Sequence, residues 1–382
     1  VIGLFVQKRR CARFEMRFKP EPAFCGKGGF HLDVGNQEIV FEDEICKHLS
    51  THGWLFHGPL PYVKGFAYDA GYDKRYAMFP EDSIAWVKKT QSDAWSKFAA
   101  HHKDDSQAQS EFTKRLVEEL DKERKTIRKD DPQLWGSLHV LRRGFKHINA
   151  GFKMAQFAPA NKLNPKLWED YQSNILRVVR QVRYSMHNGN CIDLVLFLNG
   201  IPVATIELKT ETTQSIDAAV RQYRKDRPPI DSSSNAEEPL LSFGKRALVH
   251  FALSSDEVRM STKLAGEKTF FLPFNKGIPD GLGGASAGNP ADAARGHATA
   301  YFWHETLEPK TFLDILGKFI SVEVKEVENP RTNKKTFNST LLFPRYHQLN
   351  AVNRLLAETL AEGVGHSYLI MHSPGSGKSN TI

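Results

Sequence analysis

With 382 residues, 25% of them charged and 40% hydrophobic, the chain is long enough for two buried cores and is neither a short peptide nor a linker. Lys and Arg outnumber Asp and Glu by 52 to 44, a formal charge of +8, which permits a polyanionic partner without demanding one. No run reaches the roughly 18 apolar residues of a membrane helix, and Cys11, Cys25, Cys46 and Cys191 form no CxxC pair and no zinc spacing, so a reducing, cytoplasmic setting is expected.

Residues 1–30 show no clear period, and their short apolar run precedes the basic cluster, the reverse of a secretory leader. From Ile39, the segment VFEDEICKHLSTHGW spaces Val40, Ile45, Leu49 and Trp54 as one amphipathic helix, with three acids in its first turn. Residues 84–128 continue helical, with Phe112, Leu116 and Leu120 on one face and an EELDKERK run that reads as a solvated surface. Between 176 and 209 the texture changes to three apolar runs separated by two Asn-Gly pairs, which spells a three-stranded antiparallel meander. A helix with Ile216, Val220 and Tyr223 on one face follows, then ALVHFALS as a buried strand. Residues 272–300 are Gly-, Ala- and Pro-rich and read as loop, and NPRTNKK at 329–335 suits a domain linker. Beyond it come a helix, RYHQLNAVNRLLAETLAEG, and a short strand, SYLIMH.

The meander carries charges at the ends of otherwise apolar strands: Asp193, Glu207 and Lys209. Glu207 and Lys209 share a face, and Asp193 joins them if 193 stands opposite 207. A strict two-residue Asn199-Gly200 loop pairs 198 with 201 and sets Asp193 opposite Ile206, so a three-residue or bulged turn is expected. Two carboxylates brought together repel unless a cation lies between them, and magnesium, an oxygen-seeking ion suited to phosphodiester hydrolysis, is the expected metal. Lys209 is placed to stabilise charge on the phosphate. Without a metal the same charges are a solvated hairpin edge.

At the far end, HSPGSGKS at 372–379 follows the short strand. Backbone amides of Gly375, Ser376 and Gly377 suit a β-phosphate, Lys378 the β- and γ-phosphates, and the Ser379 hydroxyl magnesium, although His372 stands where GxxxxGK[ST] has its first glycine.

The segment RVVRQVRYSMHNGNCIDLVLFLNGIPVATIELKT, with AAVRQYRKDR, FLPFNKG, GNP and FPRYHQ, resembles the restriction subunit of type I restriction enzymes from about residue 39 onward. The resemblance implies an α/β fold: a PD-(D/E)xK restriction-endonuclease-like core over 31–260 with a helical insertion, a loop-rich connection over 261–335, and the start of a RecA-like helicase domain over 336–382, with 1–30 unassigned. It implies Asp193 and Glu207 as metal ligands, Lys209 as the catalytic cation, and Gln222 from a Gln-x-x-x-Tyr element that this chain matches only in its glutamine. Glu44 is a further acid, with a plain helix carboxylate as the alternative. The PGSGKS form is similar to that of superfamily 2 helicases, and FPRYHQ resembles their adenine-reading motif, which gives Gln348 that role or that of an ordinary helix-starting glutamine. The implied function is magnesium-dependent cleavage of double-stranded DNA, coupled in the intact protein to ATP-driven translocation and requiring modification and specificity subunits. Arg177, Arg180, Arg183, Arg221 and Arg224 are candidate phosphate contacts. The chain stops at SNTI before any acidic Walker B strand, so this piece is expected neither to hydrolyse ATP nor to translocate. The alternative is an inert DNA-binding or assembly module of the same complex. A plain P-loop ATPase leaves the hairpin charges unexplained.

Overall fold

Every residue from Ile192 to Leu208 is buried, the signature of strands in the middle of a sheet covered on both faces. The computed structural model describes residues 34–122, 136–147, 150–210, 215–279, 285–328, 335–370 and 377. In chain order the elements are α1 (Val34–Thr51), β1 (Leu55–Phe56), α2 (Pro80–Thr90), α3 (Ser92–Ala99), α4 (Asp105–Asp121), α5 (Gly136–Arg143), β2 (Phe145–His147), β3 (Ala150–Phe152) and α6 (Pro165–Gln172). The central part is β4 (Leu176–Arg183), β5 (Cys191–Leu198), β6 (Ile201–Leu208), α7 (Ile216–Lys225), β7 (Val249–Leu253), β8 (Val258–Ser261) and β9 (Leu272–Pro273). After β10 (Ile278–Pro279) and β11 (Ala285–Ser286) come α8 (Pro309–Asp314), β12 (Ser321–Glu328), β13 (Lys335–Leu342) and α9 (Tyr346–Glu362). Two π-helical turns, Phe302–Thr306 and Ile315–Phe319, flank α8.

One mixed sheet runs in the order β1-β4-β5-β6-β7-β8-β9. The β4-β5-β6 meander is antiparallel, and α7 carries the crossover to β7, which lies parallel to β6. Alternation decides what each face buries. Leu194, Leu196, Ile206 and Phe251 join Phe41, Ile45 and Leu49 of α1 in the main core. Val195 and Phe197 turn the other way, into a cluster with Val179 and Tyr223 of α7, while Ile216, Ala219 and Val220 close over Ala252.

The expected order of helix, insertion, three strands, helix and strand is present, with corrections. Helix α1 starts at Val34 rather than Ile39, so Glu42, Asp43 and Glu44 lie in its third turn and cannot serve its amino-terminal dipole. The HNGN segment belongs to a seven-residue loop, 184–190, because β4 stops pairing at Arg183 opposite Cys191. The polar stretch at 329–334, expected to be a domain linker, lies outside the described residues; on either side of it β12 and β13 pair with each other from Ser321–Leu342 to Glu328–Lys335. Tyr368–Ile370 form no strand, since a strand needs a neighbour and none pairs with them among the described residues.

The second Asn-Gly pair does make a tight turn. Asn199 and Gly200 have φ of 50° and 81°, the two positive values a type I′ turn requires. Unusually for a turn, it is buried. Asn199 Oδ1 accepts the Ile175 N–H at 2.7 Å, and its amide donates to Met154 O at 2.8 Å and Asn174 Oδ1 at 2.9 Å. Helix α2 sits on top: Phe79 N–H donates to Gly200 O at 2.9 Å and Ser83 Oγ to Asn199 O at 2.7 Å.

A Cβ at Gly200 falls 2.1 Å from Phe79 O, whereas one at Gly189, in the other Asn-Gly pair, meets nothing within 4 Å. Gly200→Ala is therefore expected to cost about 3 kcal/mol, and Gly189→Ala to stay within about 0.5 kcal/mol of the parent. Urea unfolding midpoints of the two variants check this; equal midpoints would show that the turn is not a packing joint.

Candidate active site

Strands β5 and β6 leave the tight turn with Leu198 opposite Ile201 and Phe197 opposite Pro202, but then Leu196 opposite Ala204. Val203 is the extra residue of a β-bulge, and it shifts everything beyond by one. Leu194 consequently faces Ile206, and one step further the register sets Asp193 beside Glu207. The bulge expected from the charges is present, placed within the strand while the two-residue turn survives. Asp193 Oδ2 accepts the Leu208 N–H at 2.8 Å.

Glu207 is completely buried. Burial drives its pKa well above the carboxylate range, the neighbouring Asp193 charge adds to this, and Arg227 offsets part of it. Arg227, just past the end of α7, donates from Nε to Glu207 Oε1 at 2.7 Å and from a terminal nitrogen to Cys191 O at 2.7 Å. Among the described residues Glu207 Oε2 has no hydrogen-bond partner, and the Asp193 carboxylate is its neighbour in the register. Lys209 pairs with Glu38 Oε1 at 3.0 Å. Burial also raises Glu38, with Lys209 pulling it back. One turn along α1, Glu42 accepts from Arg180 Nε at 3.0 Å and from Gln181 Nε2 at 3.2 Å; burial pushes it up to about 7, the Arg180 bond opposing. Below the sheet, Thr205 Oγ1 lies 2.8 Å from both the Tyr223 hydroxyl and His250 Nδ1, and burial lowers His250 to about 3, leaving its imidazole neutral.

Four acids from three elements thus gather around Lys209, Arg180 and Arg227. Among the described residues no group of three or more His, Cys, Asp or Glu side chains is arranged to hold a metal. The residues that could hold a divalent cation are Asp193 and Glu207, whose Oε2 is without a partner among the described residues; main-chain or water oxygens would have to complete the shell.

The family described as type I restriction enzyme R protein N terminus matches residues 63–269, more than half of the chain. The chain belongs to this family. No curated protein matches it. The match contains Asp193, Glu207, Lys209 and Arg227 and excludes α1 with Glu38 and Glu42.

In this R-protein amino-terminal region the other candidates separate. Glu44 points away from the acids and pairs with His297 at 3.2 Å. Glu38 and Glu42 reach the site instead, and since α1 and β4 are well over a hundred residues apart, only their i, i+4 spacing hinted at a shared face. Gln222 is half-buried on α7, where its carbonyl accepts the Asp226 N–H; the buried residue beside it is Tyr223. Most of the candidate phosphate contacts are engaged within the fold. Arg180 is fully buried between Glu42 and Asp43, Arg177 is clamped by Asp82 through two bonds, Arg183 by Asp69, and Arg224 donates to Thr269 O. Arg221 is exposed. A charged strand residue such as Arg180 must pair when buried, whereas Arg183 pairs with Asp69 from an exposed position.

Of the phosphate-loop residues only Gly377, with φ of 83°, lies among those described; Gly375, Ser376, Lys378 and Ser379 lie outside them. Gln348 Nε2 donates to Gly377 O at 2.8 Å, and its Oε1 accepts the Arg345 N–H at 2.8 Å, so its carboxamide caps α9 and ties the helix to Gly377. Phe343, Pro344, Arg345 and Gly377 line a small cavity beside it.

Glu42 supplies a pH test. Its carboxyl holds a proton more tightly in the fold, at about 7, than at the ordinary 4.5, so this group stabilises the fold fully below about pH 4.5, and the contribution fades as pH rises through about 7. Replacing it with the neutral Glu42→Gln removes that slope. Between pH 5 and pH 8 the variant is expected to gain up to about 3 kcal/mol relative to the parent. Urea unfolding at both values measures it; a difference independent of pH would mean that Glu42 is ionised throughout.

Proposed function

We propose that the chain is the nuclease-bearing part of a type I restriction subunit, cleaving double-stranded DNA with magnesium at Asp193, Glu207 and Lys209. The observation that supports this most is the bulge at Val203, which sets two carboxylates side by side where strict pairing would separate them. Such an arrangement is costly in a buried strand unless something positive or a shared proton occupies it.

In this reading Asp193 and Glu207 hold the cation, which when bound supplies charge neutralisation at a phosphate and a water of lowered pKa. Asp193 is held in place by the Leu208 amide, and Arg227 fixes the other face of Glu207, so neither carboxylate must reorganise. Lys209, 11% exposed, keeps its ammonium at the site through Glu38 and offers it to the charge developing on the phosphate. Glu38 lies beside the Lys209 ammonium, and above about pH 7, where Glu42 is ionised, the Glu42 carboxylate adds negative potential that favours the cation. Arg221, exposed on α7, is the phosphate contact retained from the sequence. The Gln348–Gly377 contact supports an ATP site beginning at residues 343–348 and continuing through Gly375, Ser376, Lys378 and Ser379, the opening of a motor domain that drives translocation in the intact complex with modification and specificity subunits, in the cytoplasm.

One observation favours the inert assembly-module reading: Glu207 and Lys209 already have partners of opposite charge in Arg227 and Glu38. Manganese titration separates the two. Glu207→Ala and Asp193→Asn are expected to abolish calorimetric binding. Lys209→Ala is expected to retain it while lowering plasmid cleavage by the assembled complex by at least about 10²-fold. Unchanged binding in Glu207→Ala would leave the assembly module as the better account.

A further inference from the structure

A left-handed residue in the middle of a regular strand pair has no reason in the strand itself. Gln181 has φ of 52°, a conformation that non-glycine residues avoid. On either side the pairing is ordinary, Arg180 with Leu194 and Val182 with Ile192, and that register places Gln181 beside Asp193. Its side chain is half-buried and adds nothing to the core. Strain of this kind persists where the surroundings over-determine it, and it concentrates at functional sites.

What the backbone accomplishes here is aim. The Gln181 amide reaches Glu42 Oε2 at 3.2 Å, Glu42 Oε1 at 3.4 Å and Asp193 Oδ1 at 3.5 Å, while its Oε1 accepts from Cys191 Sγ at 3.4 Å. Its side chain touches both the helix α1 acid and the strand β5 acid. A carboxamide is suited to that place by its chemistry. It presents two N–H donors without a charge, so it can hold the two acidic side chains in one arrangement without adding a second positive charge to that of Arg180, which already bonds Glu42. A lysine or arginine there would cancel the charge on which a cation-binding site depends. Asp193 is consequently oriented from both ends, Oδ2 by the Leu208 amide at 2.8 Å and Oδ1 by Gln181.

We infer that Gln181 is a positioning residue of the nuclease site, whose strained backbone directs an uncharged donor to lock Asp193 against Glu42 and so preorganises the acid cluster for its cation. The inference rests on the nuclease reading above. It assigns the strain at Gln181 a purpose and joins α1, which lies outside the family match, to the site.

The test compares manganese affinity by calorimetry and unfolding midpoint in the parent, Gln181→Gly and Glu207→Ala. Glycine relieves the left-handed strain and removes the carboxamide together, so the expected result is an unfolding midpoint no lower than the parent's with a manganese affinity reduced by about 10- to 100-fold, the usual effect of losing a group that orients a ligand. Should the glycine variant fail to fold, Gln181→Asn, which tolerates the same backbone and shortens the reach, is measured in its place with the same expectation for affinity. Parent affinity in the Gln181 variant alongside lost binding in Glu207→Ala overturns the role of Gln181 and leaves the nuclease reading standing. Parent affinity in both overturns the nuclease reading and this inference with it. A fall in stability matching a fall in affinity would make Gln181 a structural residue only.

Discussion

The single extra residue at Val203 governs what can happen at the other end of the β5–β6 hairpin. The tight turn at Asn199-Gly200 is pinned under α2 by bonds to Phe79 and Ser83, so the strands cannot adjust their register there. Any shift has to be made within the strands, and the bulge makes it one step past Pro202, a residue with no N–H to lose from the ladder. From that point Asp193 and Glu207 come together. Buried apolar residues on both faces then hold the register, since a slip by one would turn Leu194 and Leu196 out of one core and Val195 and Phe197 out of the other.

Electrostatics follows from that placement. A carboxylate in the middle of a covered sheet has lost its water, and Glu207 responds by holding its proton far above the ordinary range, with Arg227 donating to its Oε1. The surrounding charges are spread over elements distant in sequence: Glu38 and Glu42 on α1, Asp193 on β5, Lys209 after β6 and Arg227 after α7. Each is held by a partner in another element, so the site also binds the first helix to the sheet. Arg180 shows the structural side of the arrangement, fully buried between Glu42 and Asp43 with its guanidinium over the rings of Tyr62 and Tyr68.

Local pattern carried much of this. The three apolar runs, the buried β7 and the Ile216, Val220 and Tyr223 face of α7 are each a periodicity that a strand or a helix satisfies within its own residues. The demand for a bulge was also legible, because the charges at 193, 207 and 209 are inconsistent with a strict two-residue turn if they are to meet. Where readings failed, the missing information was a neighbour. SYLIMH has the composition of a strand without one among the described residues, and HNGN, for all its turn composition, sits in a wider loop.

The sequence by itself determined the meander, its crossover helix and the residues that had to be carried at the strand ends, because hydrophobic period and turn chemistry act over a few neighbouring positions. Tertiary structure alone decided that Glu38 and Glu42, not Glu44, join those ends, that Arg180 and Arg177 are spent on internal pairs while Arg221 remains outside, and that Gln181 bends its backbone to face Asp193. Those choices depend on which side of a helix meets a strand more than a hundred residues away, and on the rule that a buried charge takes whatever partner the packing puts within reach.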